Sequence, residues 1–376
     1  MKQVISEELK IADLKLKLVT EKFSMASINP TNAKTYEEVM NSDYFTYKKP
    51  DFLISDMKKK LGDLHIRKKD YLSSQIRLKR NELVTKLDML ENIASDEFTN
   101  LSAKLHPYPS KKNLNSAIKI LELKPVTSSR DILSGEEVKT YFEKVLRHLK
   151  LDYKIEISDM VTKARVLATQ SKLELRSDTK FSDSYVNRLL IHEIGTHIFR
   201  SEGGKLQPLH IFSSGFADYI EDEEGLAVYN ELKYGVLDIN ILRNYAGRVV
   251  AIDHAKCNDF TSTYNYMKNF FDDKESFNLT LRAKRGIKSK DCVGGYTKDS
   301  VYFTGFIKLL KKINEEKYKD MYKGKFNLEH LKQLRGLALE KNPFKPLMLS
   351  DLLKKTKTLG LLSENDVRTY LNLKTK

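Results

Sequence analysis

His192, Glu193 and His197 lie in the apolar run Leu-Leu-Ile-His-Glu-Ile-Gly-Thr-His-Ile-Phe-Arg, residues 189–200. Neutral imidazole is a good zinc ligand, and a carboxylate beside the metal can take a proton from bound water. The usual zinc-peptidase spacing leaves two residues between the glutamate and the second histidine. Its histidines are then i and i+4, about 40° apart around a helix and on one face. Here the second histidine falls at i+5, about 140° around a regular helix and too far to share one ion. One inserted residue, as in a π-bulge, brings the rings back together. Gly195 and Thr196 stand where such a bulge falls, and glycine tolerates unusual backbone angles. The plain alternative is a buried helix that happens to contain two histidines. Burying Glu193 without a task weighs against it.

A zinc site needs a third protein ligand. Residues 218–229, Asp-Tyr-Ile-Glu-Asp-Glu-Glu-Gly-Leu-Ala-Val-Tyr, are acidic and then apolar. A glutamate on a second, downstream helix completes the ligand set of one large class of zinc peptidases. Glu221, Glu223 and Glu224 all qualify, against the competing reading of a solvated acidic helix start.

His-Glu-Ile-Gly-Thr-His followed by Glu-Glu-Gly-Leu-Ala resembles the tyrosine carboxypeptidase family. That family includes the microtubule-associated enzymes that remove the C-terminal tyrosine of α-tubulin, and many bacterial relatives. Its metal motif is His-Glu-x-x-x-His, and its third ligand is the glutamate of [Gln/Glu]-Glu-Gly-Leu-Ala. The resemblance implies His192, His197 and Glu224 as zinc ligands and Glu193 as the catalytic base. Glu223 stands where many bacterial members have glutamine. Residues 172–176 (Lys-Leu-Glu-Leu-Arg), 281–286 (Leu-Arg-Ala-Lys-Arg-Gly) and 294–302 (Gly-Gly-Tyr-Thr-Lys-Asp-Ser-Val-Tyr) match as well. The resemblance implies a zinc-dependent carboxypeptidase that releases a terminal tyrosine or phenylalanine. An aminopeptidase or endopeptidase using the same site, and a non-enzymatic basic binding module, are the rival readings. Four intact residues, His192, Glu193, His197 and Glu224, argue against a decayed site.

Removing only the last residue requires a cation for the terminal carboxylate, and arginine does this best through paired hydrogen bonds. Arg282, Arg285 and Lys298 are the candidates; ordinary surface cations would look the same in so basic a chain. The developing oxyanion needs a further donor, for which Tyr296, Tyr302 and His210 are candidates. His65, His106, His148, His254 and His330 lack partners at ligand spacing and read as surface or packing residues.

The net charge is +15, with lysine and arginine scattered along helices. That pattern is mostly solvated helix surface, and no nucleic-acid motif accompanies it; a basic rim would help capture a peptide carboxylate or an acidic tail. No run approaches the roughly 18 apolar residues of a membrane span. The charged start, Met-Lys-Gln-Val-Ile-Ser-Glu-Glu-Leu-Lys, predicts no signal peptide. Two cysteines, Cys257 and Cys292, are too few for a disulfide framework and fit a reducing, cytoplasmic setting.

The elements that must position these groups follow from periodicity. An N-terminal arm, residues 1–48, carries a helix with Ile5, Leu9, Leu14, Leu16 and Val19, broken at Asn29-Pro30. A helical subdomain, 49–124, contains helices near 57–64, 69–90 and 114–123, with a stop at 106–110. A boundary at 124–129 opens the catalytic domain, 125–376. There Ser134 and Glu137 form a capping box. Residues 153–157 and 172–176 alternate as strands. Ser182 caps the histidine helix, with Asp183 in its first turn. Phe277, Leu279 and Leu281 alternate and predict a late strand. Thr297 is expected to cap a helix with Val301, Phe306, Leu309, Leu310 and Ile313. The expected class is α+β, predominantly helical. A small sheet and an N-terminal helical region accompany a zinc-peptidase core whose third ligand is a glutamate. In that architecture the strand beside the metal offers its backbone to the peptide.

Overall fold

Apolar residues at helical spacing build most of the chain, and a computed structural model describes residues 5–127, 132–160, 162–356 and 358–374. The N-terminal helix, Glu7–Lys22, buries Leu9, Ala12, Leu16 and Val19, a three-to-four-residue period that fixes one face. That face joins the main hydrophobic core, so this segment is docked; Leu14 points outward. The long helix Tyr71–Glu91 starts at Asp70, whose side chain accepts the Ser73 N–H, and buries Leu72, Ile76, Leu83 and Leu87. Gly135–His148 opens with the reciprocal capping box of Ser134 and Glu137. Of the expected boundary at 124–129, residues 128 and 129 lie outside the described residues.

The sheet has three strands: β1 (Lys154–Ser158), β2 (Ala164–Leu167) and β3 (Lys172–Arg176), in the order β1-β3-β2. β1 runs parallel to β3, with Lys154 opposite Lys172. β2 runs antiparallel to β3, with Leu167 opposite Lys172. β1 and β3 carry the alternation that predicts them. β2 was not expected: all four of its residues are half-buried, so it has no buried-exposed alternation to read. Within this sheet β2 is an edge strand, and it packs beside the histidine helix.

Ser182 accepts the Tyr185 N–H and starts the helix Asp183–Leu189. Leu190–Ile198 is π-helical, and Phe199–Lys205 returns to α geometry. The glutamate helix Ile220–Lys233 packs along Val301–Lys312. Their crossing needs two glycines. A Cβ on Gly225 would sit 2.3 Å from the Gly305 carbonyl carbon, and one on Gly305 2.0 Å from the Glu221 oxygen. No side chain fits such an approach of backbone to backbone.

Two expectations fail locally. Phe277, Leu279 and Leu281 lie in the helix Asp273–Ala283, not in a strand. The buried set there is Ser276, Phe277, Leu279, Thr280 and Ala283, a helical spacing, and Asp272 caps it by accepting the Glu275 N–H. Phe277 and Leu279 of that stripe, with Leu281 two residues on, imitated alternation. Thr297 precedes the short 3-10 turn Lys298–Ser300, but its side chain caps nothing. Its hydroxyl instead bonds the carbonyls of Ser102 and His106, tying this segment to the helix Asp96–Leu105.

No helix among the described residues is long and apolar enough to cross a membrane. Both cysteines are free thiols.

Candidate metal centre

The π-helical turn supplies the phase that the extra residue demands. The Phe199 N–H reaches the Ile194 carbonyl five residues back, and the Thr196 hydroxyl bonds the Ile191 carbonyl at 3.1 Å. The Tyr322 hydroxyl bonds the Gly195 carbonyl at 3.0 Å, and Asn230 bonds the Thr196 hydroxyl at 2.6 Å. Side chains therefore satisfy carbonyls that an α-helix would satisfy internally. Gly195 is not needed for an unusual backbone angle, because its φ is not positive. Space is tight instead: a Cβ there would stand 3.0 Å from Leu349 Cδ1, which would have to shift.

With this phase the rings of His192 and His197 lie 5.0 Å apart. Glu224 Oε2 stands 3.6 Å from His192 Nε2 and 3.5 Å from His197 Nε2. His192 and Glu224 are buried, and His197 is nearly so. Among the described residues they are the one set of His, Cys, Asp or Glu groups gathered in this way. Glu224 Oε2 is buried and makes no hydrogen bond, an orphan acceptor that needs a partner. A tetrahedral ion with bonds of about 2.0–2.2 Å places its ligand atoms about 3.4 Å apart. The observed separations fit a metal ion.

The outward nitrogens are held as firmly. Glu231 Oε1 takes His192 Nδ1 at 2.6 Å, and also Arg188 and the Tyr245 hydroxyl, each at 2.9 Å. Glu223 Oε1 takes His197 Nδ1 at 2.8 Å and has Lys325 at 3.1 Å; its other oxygen accepts from the wholly buried Arg200. Such partners fix the tautomer that turns Nε2 toward the ion and raise the ligand's basicity. Glu223 thus orients the candidate ligand His197, and Glu224 is the carboxylate candidate. Glu221 faces elsewhere, bonding the Thr304 hydroxyl.

Electrostatics follow from these pairs. Burial works against charge on Glu224, but Lys298 at 2.7 Å and the two histidines hold its carboxyl well below the usual range. Burial likewise opposes protonation of His197. Glu223 and Glu224 overcome it and lift the imidazole to about 9 in the metal-free protein. Glu193, beside His192, is buried, and no hydrogen bond or ion pair engages its carboxylate among the described residues.

The remaining expected site residues fall around this centre. Tyr302 stacks 6.3 Å from the His192 ring and 5.5 Å from Tyr245. Lys298 stands 5.1 Å over the Tyr302 ring. Arg282 Nε lies 2.7 Å from Asp299 Oδ2, off hydrogen-bond alignment, and Arg285 bonds the same oxygen at 2.8 Å. Tyr296 lies under the Arg285 guanidinium at 5.0 Å, edge-on to His106. His210 is exposed, its backbone N–H held by Asp13. Sequence reading missed Glu231, Arg188, Arg200, Lys325 and Tyr245. Only Glu231 left a signal, seven residues after Glu224 and so two turns along the same helix face.

Fold and site define a predominantly helical protein built around a buried His-His-Glu group able to hold a metal ion. Residues 40–366 match the family described as microtubule-associated tyrosine carboxypeptidase, and the chain belongs to that family. It is 25% identical over 201 residues to "Microtubule-associated tyrosine carboxypeptidase 1" of Mus musculus, covering 52% of this chain and 43% of the mouse protein. The Rattus norvegicus protein of the same name is 24% identical over 201 residues, covering 52% and 42%. The matched stretch spans less than half of either relative.

Proposed function

We propose that this chain is a zinc-dependent carboxypeptidase that removes a C-terminal tyrosine or phenylalanine from a peptide or protein. The observation that carries the reading is that Glu224 Oε2 lies 3.5–3.6 Å from both His192 Nε2 and His197 Nε2, the three groups gathering within 4.8 Å, with both Nδ1 atoms pinned by carboxylates. Two imidazoles and one carboxylate are a donor set that suits zinc and leaves an open position. Family membership supports a C-terminal tyrosine as the residue removed, which its relatives' names carry.

When bound, zinc acidifies water and polarises a carbonyl. The chain's own groups do the rest. Glu193 is the general base: it takes the proton of the attacking water and returns it to the leaving amine. Its carboxylate is free for this because no protein group engages it among the described residues. Glu231 and Glu223 keep each ligand histidine in its Nε2-outward orientation. Lys298 holds Glu224 ionised by its bond to Oε1, leaving Oε2 for the ion. Of the three candidate oxyanion donors, Tyr302 is the one whose ring adjoins a ligand. β2, beside the histidine helix, pairs with no strand on its outer edge among the described residues, an edge to which an extended peptide can add. The reading is tested by metal analysis of the purified protein. One zinc per chain is expected, lost in Glu224→Ala; a metal-free protein that cannot be loaded rules it out.

A further inference from the structure

A cleft of about 770 Å³ has Tyr185, Tyr245 and Phe271 in its lining. Its size is that of a ligand pocket. Tyr245 connects it to the centre, because that ring stacks on Tyr302, which stacks on His192. Several cations line the cleft, and most have partners. Arg188 is bound to Glu231 and Tyr245, and Arg243 is held by the carbonyls of Leu121, Leu123 and Phe270. Outside the cleft, Arg282 and Arg285 share Asp299, and Lys298 holds Glu224.

Arg248 differs. Its guanidinium lies 4.4 Å over the Tyr302 ring and 4.9 Å over the Tyr245 ring. Its Nε bonds Asn244 at 3.2 Å, and among the described residues that is the guanidinium's one hydrogen bond. A cation–ring contact consumes no N–H donor, so the guanidinium's remaining N–H groups are left for a ligand.

We infer that Arg248 is the residue that binds the carboxylate of the substrate's last residue, with that residue's side chain in the cleft between Tyr185, Tyr245 and Phe271. The inference rests on the carboxypeptidase reading above. The order of the contacts supports it. One residue beyond the scissile bond carries the chain about 3.8 Å. A charge-assisted arginine–carboxylate bond adds about 2.7–2.9 Å. A clamp must therefore stand about one side-chain layer from the metal ligands, and Arg248 is separated from His192 by a single tyrosine ring. Arg248 is half-buried, so charge is partly shielded from water there without the penalty of full burial.

The test is calorimetric binding of a peptide ending in tyrosine, as free acid and as C-terminal amide, to zinc-loaded Glu193→Gln protein, in which substrate stays intact. The free acid is expected to bind about ten- to a hundred-fold more tightly than the amide. Arg248→Gln in the same background should abolish that difference while leaving amide binding unchanged. Arg248→Lys, which keeps the charge and loses the fork, should restore part of it. A preference for the free acid that survives Arg248→Gln overturns the inference, as does an equal loss for both peptides. Turnover by the wild type is read separately. Absence of cleavage with an Arg248-dependent preference intact would reject the peptidase reading and leave the carboxylate site standing.

Discussion

Glu231→Gln isolates the group that orients the first ligand. In the wild type one carboxylate oxygen serves three donors, His192 Nδ1 at 2.6 Å and Arg188 and Tyr245 at 2.9 Å, while Oε2 is buried and unpartnered. Glutamine can keep an acceptor in the first position, so the shape survives. The charge does not, and the new amide N–H₂ takes the place of an oxygen that is buried and has no hydrogen-bond partner. Hydrogen bonds to charged groups contribute about 1.5–3 kcal/mol, and an unmet buried donor costs about 1–3 kcal/mol. For the metal, loss of such a ligand-orienting partner weakens binding about 10–100-fold. The assay is zinc competition against a chromophoric chelator, run with urea unfolding of the metal-free protein. The expected result is that weakening, together with a destabilised metal-free fold, because Arg188 loses its counter-charge. Unchanged zinc affinity in a protein of unchanged fold would refute the argument that Glu231 tunes the site through His192.

Other outcomes follow from the same geometry. Glu193→Gln should retain zinc by elemental analysis and lose turnover about 10²–10⁴-fold, since the amide cannot accept the proton; loss of metal instead would make Glu193 a structural group. Gly305→Ala should destabilise the fold by at least about 1–3 kcal/mol in urea titrations, because its Cβ would overlap the Glu221 carbonyl; a neutral result would mean the helix crossing adjusts freely. Lys284, buried and bonded to the carbonyls of Ala255, Asn258 and Cys292, ties three segments together. Lys284→Met should lower the melting temperature and leave zinc affinity intact, and equal loss of both would show that this clasp supports the centre. Burial depresses His330 to about 4 and His106 to about 3. Both stay neutral in the fold while the unfolded chain protonates near 6.5. Their contribution is present above that value and is lost as pH falls toward 4 and 3. His330→Phe should flatten the decline in stability between pH 7 and pH 4.5, and an unchanged slope would exclude His330 from it.

The π-helical segment was legible because His192 and His197 of His-Glu-x-x-x-His cannot reach one ion on a regular helix, and Leu190–Ile198 is π-helical. Caps at Ser134, Ser182 and the strand alternation of β1 and β3 were legible because each is a local signal. β2 was not, since an edge strand buried equally on both faces has no period to detect. The apparent strand at Phe277, Leu279 and Leu281 arose where two residues of a helical stripe also satisfied a period of two. The orienting groups were harder still: Arg200 and Lys325 reach Glu223 from segments distant in sequence, and only folding brings them there. Arg282 and Arg285 show the same limit in reverse. Their spacing suits a carboxylate clamp, yet Asp299, fourteen residues after Arg285, is the carboxylate they meet.

The central claim is most directly tested by mass spectrometry of a peptide ending in tyrosine after incubation with the zinc-loaded protein, with and without chelator. The account predicts a single product shorter by the terminal tyrosine, formed only without chelator and restored by adding zinc. An intact peptide, cleavage at internal bonds, or the same product in the presence of chelator would contradict it.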